Sequence, residues 1–318
     1  MTVATARAHA NIALVKYWGK RDTTLNLPAV SSVSLTLDRF WTETTVTWGA
    51  ERDEVLVDGE DASPGFANRA LGFLELVASN RPPVRIETRN SFPTGAGLAS
   101  SASGFAALTL ASARAAGIGD DRTALSALAR RGSGSACRSL WGGFVAWRRG
   151  SRADGLDSHG SPIAGKEHWD LSMIVAVVSS GPKPIGSTAA MERTRDTSPY
   201  YPAWLETSEA DVDRAIEAIH ERDLDALGTV MEQSTFKMHA TMHTAVPAVN
   251  YWLPGTMACI QAVFDLRTRG VTAYLTMDAG PNVKVLCRSE DAAEVARALS
   301  QHVERVEILG PGPEPVIS

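Results

Sequence analysis

Between residues 42 and 48 β-branched and polar residues alternate, and this period of two predicts a strand. Residues 54–57 predict another, running into the turn pair Asp58-Gly59. From 66 to 78 the period lengthens: Ala70, Leu71, Leu74 and Val77 fall on one face of a helix. Strand character returns at 84–89. A Gly/Ser-rich turn then opens a helix of small residues over 101–116, and Asp120 or Asp121 caps the next one, which runs to Arg130. Residues 142–147 and 171–179 read as strands, and the polar stretch 152–166 as an exposed loop.

A Pro/Gly/Ser-rich linker begins at Gly181 and leads to helices over 208–222, 224–242 and 257–268. Strands follow at 271–276, 283–287 and 303–309, with a helix over 291–302. The proline-rich tail 310–318 is expected to fray. Strand and helix runs do not alternate one for one, which predicts an α+β body with mixed sheets over a doubly wound parallel sheet. The change of composition at the linker divides the chain into domains 1–183 and 184–318.

Composition narrows the function. The 318 residues are about twice the ~150-residue unit of a single domain, and 44% hydrophobic with 21% charged residues suits a chain that builds cores. With 31 basic against 36 acidic residues the net charge is −5, and no basic run tracks a phosphate backbone, so nucleic acid is excluded as a partner. The longest apolar run, residues 173–178, is far too short to span a membrane, and Asn11 and Lys16 interrupt any signal-peptide core. Three widely spaced cysteines, Cys137, Cys259 and Cys287, suggest neither a disulfide framework nor a zinc knuckle, and point to a reducing cytoplasm.

The most informative stretch is Pro93-Thr94-Gly95-Ala96-Gly97-Leu98-Ala99-Ser100-Ser101-Ala102-Ser103. Its glycines let the backbone approach a ligand, and the helix N-terminus that follows offers free amides and a positive dipole to phosphate. No Gly-Lys-Ser/Thr follows, and Ser100 stands where a dinucleotide fingerprint requires a third glycine. A bare Gly-x-Gly is more simply a turn with a serine cap. Pro93 and the hydroxyls of Ser100, Ser101 and Ser103 shift the reading toward ATP, with Ser101 a magnesium ligand. This block resembles the phosphate-binding motif of the GHMP kinase superfamily.

Further segments narrow the resemblance to the diphosphomevalonate decarboxylase family. They are Asn11-Ile12-Ala13-Leu14-Val15-Lys16-Tyr17-Trp18-Gly19-Lys20-Arg21-Asp22 with Leu27-Pro28, Ser31 and Ser32; Gly132-Ser133-Gly134-Ser135-Ala136-Cys137-Arg138-Ser139; Gly186-Ser187-Thr188 with Met191 and 194–198; and Met277-Asp278-Ala279-Gly280-Pro281-Asn282. Taken alone, Tyr17 and Trp18 read as core, the serine loop as a flexible turn and Asp278 as a turn former. Some relatives carry arginine where Thr188 stands, so no phosphate-gripping arginine is placed there. His239 and His243 have the spacing of helical zinc ligands, but Ala240 replaces the general-base glutamate and no third ligand is evident, so they read as a structural pair.

The resemblance implies a two-lobed GHMP kinase fold, with a ribosomal protein S5 domain 2-like first lobe, a ferredoxin-like second lobe and a cleft between them. It implies ATP-dependent decarboxylation of mevalonate 5-diphosphate to isopentenyl diphosphate, with ATP and Mg²⁺, in a homodimer. Asp278 would deprotonate the 3-hydroxyl, Lys16 balance its charge, and Arg138 hold an anion. Pro93, Gly95, Ala96, Gly97, Leu98, Ala99, Ser100 and Ser101 would cradle ATP. Tyr17, Trp18, Lys20, Ser133, Gly134, Ser135, Arg138 and Ser187 would bind the substrate. A sibling enzyme acting on mevalonate or its monophosphate is the alternative. The adenine pocket is not identifiable at this level.

Overall fold

The structure, a computed structural model, describes residues 1–92, 100–181 and 183–318. The chain opens with β1 (Thr2–Val15), a small ribbon of β2 (Lys20–Asp22) and β3 (Leu27–Pro28), and the long β4 (Ser32–Trp48). β5 (Glu54–Val57), β6 (Glu60–Asp61), α1 (Pro64–Val77) and β7 (Val84–Asn90) follow. Next come α2 (Ser100–Ala115), α3 (Arg122–Gly132), a 3-10 helix (Gly134–Leu140), β8 (Phe144–Trp147) and β9 (Gly160–Ala164).

The second half contributes β10 (Leu171–Val177), α4 (Ser187–Thr197), α5 (Tyr201–Glu221), α6 (Leu224–His243), α7 (Pro254–Thr268), β11 (Ala273–Met277) and β12 (Val283–Arg288). It closes with α8 (Ala292–Leu299), β13 (Arg305–Leu309) and β14 (Val316–Ile317). Among the described residues the first sheet runs β14-β1-β4-β7-β5-β6, with β8 and β9 extending from β4, and the second runs β11-β12-β10-β13. The architecture is α+β, as expected.

Four local expectations need correction. β1 was not anticipated, because Ala4, Ala6, Ala8 and Ala10 have weak strand propensity; they are buried, and Ala4, Ala6 and Ala8 share a core with Ala106, Ala107 and Ala111 of α2. The supposed exposed loop 152–166 contains β9, which pairs with β8. The supposed linker contains α4, whose Ala190 and Met191 join Trp18 and Trp204 in one apolar cluster. The tail does not fray: Ile317 pairs with Ala6, and Ser318 exchanges backbone hydrogen bonds of 2.8 and 2.9 Å with Thr5. Among the described residues β10, on the first-domain side of the division at residue 183, pairs with β12 and β13 of the second sheet.

Besides the cluster around Trp18 and Trp204, three larger buried layers hold the body together among the described residues. One lies between the first sheet and α1, α2 and α3. A second joins the halves, setting Ile12, Leu14, Leu35 and Phe144 against Met173, Val175, Leu227 and Leu286. The third covers the other face of the second sheet with α7 and α8. α6 lies on β11 at Gly228, where an added Cβ would stand 2.0 Å from the Tyr274 ring, so only glycine fits this approach.

Candidate active site

β1 and β4 shift register at His9/Asn11 and again at Ala13/Val15. Such irregularities re-aim side chains; the first lies at Asn11, which β1 buries, and the second just before Lys16, the buried residue that follows the strand. Lys16 is 1% exposed; its ammonium donates to the Ala13 carbonyl at 2.9 Å and to Oδ1 of Asp278 at 2.8 Å. Asp278 follows β11 directly, so a contact spanning 262 positions joins the two ends of the chain. Helix α6 braces the junction: Ser234 Oγ accepts from the Lys16 backbone N–H at 2.9 Å, while Thr235 bonds Thr276 at 3.0 Å, and Thr276 donates to the Ala13 carbonyl at 3.2 Å.

Sequence reasoning missed a second lysine here. Lys284 of β12, also 1% exposed, donates to Oδ2 of Asp278 at 3.0 Å. Burial pushes the Asp278 carboxyl up, but the two ammonium groups outweigh burial and hold it well below the carboxylate range. Lys16 is brought down to about 8, first by burial, against the pull of Asp278. Lys183, exposed at the surface, lies alongside, its ammonium placed 3.9 Å from where a Cβ on Gly280 would stand. The strand position of Lys284 in Val-Lys-Val-Leu resembles an outward-facing residue, which is why it gave no signal.

Arg138, on the 3-10 helix, is buried, and burial lowers its pKa. Nε and Nη2 donate to Asn11 Oδ1 at 3.1 and 3.0 Å, and Nη1 to Ser32 Oγ at 2.7 Å. Asn11 is itself fixed by donating to the Ser135 carbonyl at 3.1 Å and to Ser139 Oγ at 2.8 Å. The guanidinium lies 5.6 Å from the centroid of the Trp147 ring, which also packs on Tyr17 at 4.7 Å. The Tyr17 hydroxyl is buried with no partner among the described residues, and burial raises its pKa. Gly134 makes this a close crossing, since a Cβ would meet Trp147 at 3.0 Å and Tyr17 at 3.1 Å and the rings would have to shift by a few tenths of an ångström.

Of the predicted ATP cradle, Pro93, Gly95, Ala96, Gly97, Leu98 and Ala99 lie outside the described residues. Ser100 opens α2, and Ser101 is exposed with its hydroxyl 3.3 Å from that of Ser133, which joins the start of α2 to the serine loop. Ser103 turns inward and bonds Thr42 at 2.7 Å, anchoring α2 to β4. Beside Ser101 opens a cavity of about 450 Å³ lined by Phe66, Arg69, Ile86, Asn90 and Phe105, which no sequence signal marked. Among the described residues no group of three or more His, Cys, Asp or Glu could cage a metal ion. A magnesium ion that arrives with nucleotide phosphates and takes hydroxyl oxygen fits this donor set.

The remaining candidates divide. Lys20 is half-buried, and burial lowers its pKa against the opposing pull of Glu192, with Arg69 adding to the lowering. Ser135 and Ser187 are also half-buried, and Ser187 forms the first turn of α4. Trp18 does not line the cleft through its indole: it is 1% exposed, donates Nε1–H to Thr194 at 2.8 Å, and its carbonyl accepts from Trp204 at 3.0 Å. Gly19 beside it has φ 93°, and a Cβ there would stand 1.9 Å from the Tyr201 hydroxyl. His239 accepts from Trp252 Nε1 at 2.9 Å through Nδ1, and burial brings it down to about 3, so it stays neutral. No helix among the described residues is long and apolar enough to cross a membrane.

Comparison with known proteins agrees along the chain. Residues 8–160 match the diphosphomevalonate decarboxylase-like N-terminal domain and residues 173–309 the mevalonate 5-diphosphate decarboxylase C-terminal domain. The diphosphomevalonate decarboxylase of Ganoderma lucidum is 37% identical, over 96% of this chain and 83% of that protein; that of Bos taurus is 36% identical, over 94% and 80%. Mevalonate diphosphate decarboxylase from Staphylococcus aureus is 35% identical with a TM-score of 0.94, covering 100% of this chain and 98% of that one. A protein solved as MDDEF in complex with MVAPP, AMPPCP and magnesium is 39% identical with a TM-score of 0.93, covering 100% and 99%. With such identity along almost its whole length, the chain belongs to the diphosphomevalonate decarboxylase family.

Proposed function

We infer that this chain couples ATP hydrolysis to the decarboxylation of mevalonate 5-diphosphate, releasing isopentenyl diphosphate, ADP, phosphate and carbon dioxide. The observation that carries the reading is the contact between Lys16 and Asp278, which brings a carboxylate and an ammonium from opposite ends of the chain into one cleft of this family's fold. The complex of the relative with MVAPP, AMPPCP and magnesium supports both substrates.

Hydroxide is too poor a leaving group for the tertiary alcohol, so ATP converts it to phosphate. Asp278 orients the 3-hydroxyl and takes its proton as the new O–P bond forms and the bond to ADP breaks. A carboxylate held so firmly ionised accepts that proton only as phosphorylation acidifies the hydroxyl. Lys16 remains paired with it. The C3–O bond then breaks, the phosphate departs, and the electron pair of the bond to the carboxylate forms the double bond as carbon dioxide leaves. Arg138, Tyr17, Lys20, Ser133, Ser135 and Ser187 hold the substrate's carboxylate and diphosphate, with Gly134 leaving room beside the Tyr17 and Trp147 rings. Trp18 acts from the core, by fixing the chain between Tyr17 and Lys20.

Pro93, the loop glycines with Ala96, Leu98 and Ala99, and Ser100 and Ser101 hold the nucleotide phosphates, and the cavity beside α2 takes the nucleoside. Ser101 would hold Mg²⁺ through its hydroxyl, and the ion would supply neutralisation of phosphate charge. A homodimer, resting on the family alone, and a cytoplasmic location, resting on the cysteine usage, belong to the same proposal.

Incubation with ATP and mevalonate, its monophosphate or its diphosphate, followed by carbon dioxide and ADP assays, tests the reading; only the diphosphate should release both. Asp278→Asn should lower kcat by about 10²- to 10⁴-fold while nucleotide affinity, measured calorimetrically, stays near wild type. A variant with wild-type turnover removes Asp278 from the chemistry.

A further inference from the structure

Lys284 is in an unusual place for a lysine. β12 is an inner strand, and Lys284 stands opposite Val175 of β10 and Thr276 of β11. Alternation turns Val283, Val285 and Cys287 toward α7 and α8, and sends Lys284 and Leu286 to the opposite face, where Leu286 lies in the apolar layer between the halves. An aliphatic residue there would extend that layer, whereas a buried ammonium is costly unless paired. Its close partner is Asp278 Oδ2 at 3.0 Å, with a longer contact of 3.4 Å to the Asn282 carbonyl.

Asp278 already has a cation, because Lys16 occupies Oδ1. One carboxylate therefore faces two ammonium groups, and the trio carries a net charge of +1. The surrounding groups do not cancel it: Lys183 before α4 and Arg138 on the 3-10 helix add positive charge, and His239 on α6 is neutral. Both carboxylate oxygens are engaged, so the carboxyl plane is fixed, and the side chain remains 31% exposed.

We propose that Lys284 is a positioning residue for phosphoryl transfer, which fixes the orientation of Asp278 through Oδ2 and supplies the unmatched positive charge that a transferring phosphoryl group requires. The proposal rests on the functional reading above. Transferring phosphoryl oxygens carry negative charge, and cations already in place cost no reorganisation when it moves. Losing Lys284 also removes one of the two charges that keep Asp278 ionised, so its proton should be bound at higher pH.

The test uses the full chain and its Lys284→Met and Lys284→Gln variants, with kcat and KM for both substrates measured across pH. K284M should lower kcat by about 10²-fold, the order expected for a displaced catalytic group, leave KM for ATP unchanged, and move the acidic limb of kcat/KM to higher pH. K284Q keeps a donor to Oδ2 without the charge; it should retain more of kcat and show the same acidic shift. If K284M does not fold, the shift in K284Q decides alone. An acidic limb identical to wild type in the folded variants overturns the role of Lys284. A wild type without mevalonate-diphosphate-dependent release of ADP and carbon dioxide overturns the functional reading and this role with it.

Discussion

Lys16 illustrates how burial converts a common side chain into a titrating one. Removed from water and opposed by Lys284 and Arg138, its ammonium loses its proton at about 8 instead of 10.5, despite the attraction of Asp278. The charged form thus prevails below about 8 and is lost as pH rises. If the charge is needed, kcat/KM should fall through pH 8, and the limb in kcat should lie higher, because bound phosphates favour the ammonium. Initial rates across neutral and alkaline pH check this, and a level profile through 8 removes the requirement for charge. At this scale the sequence was partly legible: Lys16, Asp278 and Arg138 stood in motifs, whereas Lys284 looked like one polar member of an alternating strand. Nor could spacing show that Asn11 would orient Arg138, since the two meet across 127 positions.

Single elements were most readable where a local signal stood at their ends. Asp121 is the N-cap of α3, accepting from the backbone N–H groups of Thr123 and Ala124 at 2.9 and 3.3 Å, and the sequence narrowed the cap to Asp120 or Asp121. Asp121→Ala should destabilise the protein by about 1 kcal/mol, seen as a lower Tm, with kcat unchanged because the cap lies at the far end of α3 from Ser133. An unaltered Tm would mean that solvent replaces the cap without loss. β1 lacked such a signal, because a run rich in alanine favours helix until a partner face as small as α2 lets the backbones approach. α4 was hidden for a different reason: with only Ala190, Met191 and Thr194 buried, its apolar stripe is too narrow to register as a period.

Across the whole molecule the candidate site is assembled from residues 16 to 284 and has no local version. Its two halves meet through the shared layer of Leu14, Leu35, Met173, Val175 and Leu286, and α6 crosses that junction. Residues on α6 touch both sides at once: Ser234 holds the Lys16 backbone, and Thr235 holds Thr276 just before Asp278. The fold class was legible because strand and helix runs are long; the way the halves register was not, because it depends on contacts between distant segments.

The tight seat of Gly228 on the Tyr274 ring has a consequence for that register. A methyl there would act as a wedge under the same helix that carries Ser234 and Thr235, about two turns further along. Alanine gains about 1 kcal/mol of helix propensity over glycine, but overpacking costs about 1–3 kcal/mol, and with the ring only 2.0 Å away the steric cost prevails. Gly228→Ala should therefore lower both Tm and kcat with nucleotide affinity preserved, and a wild-type rate would show that the ring yields instead. Searches for activity-altering substitutions confined to the cleft would overlook this hinge point, where mechanical fit alone governs the spacing of charges.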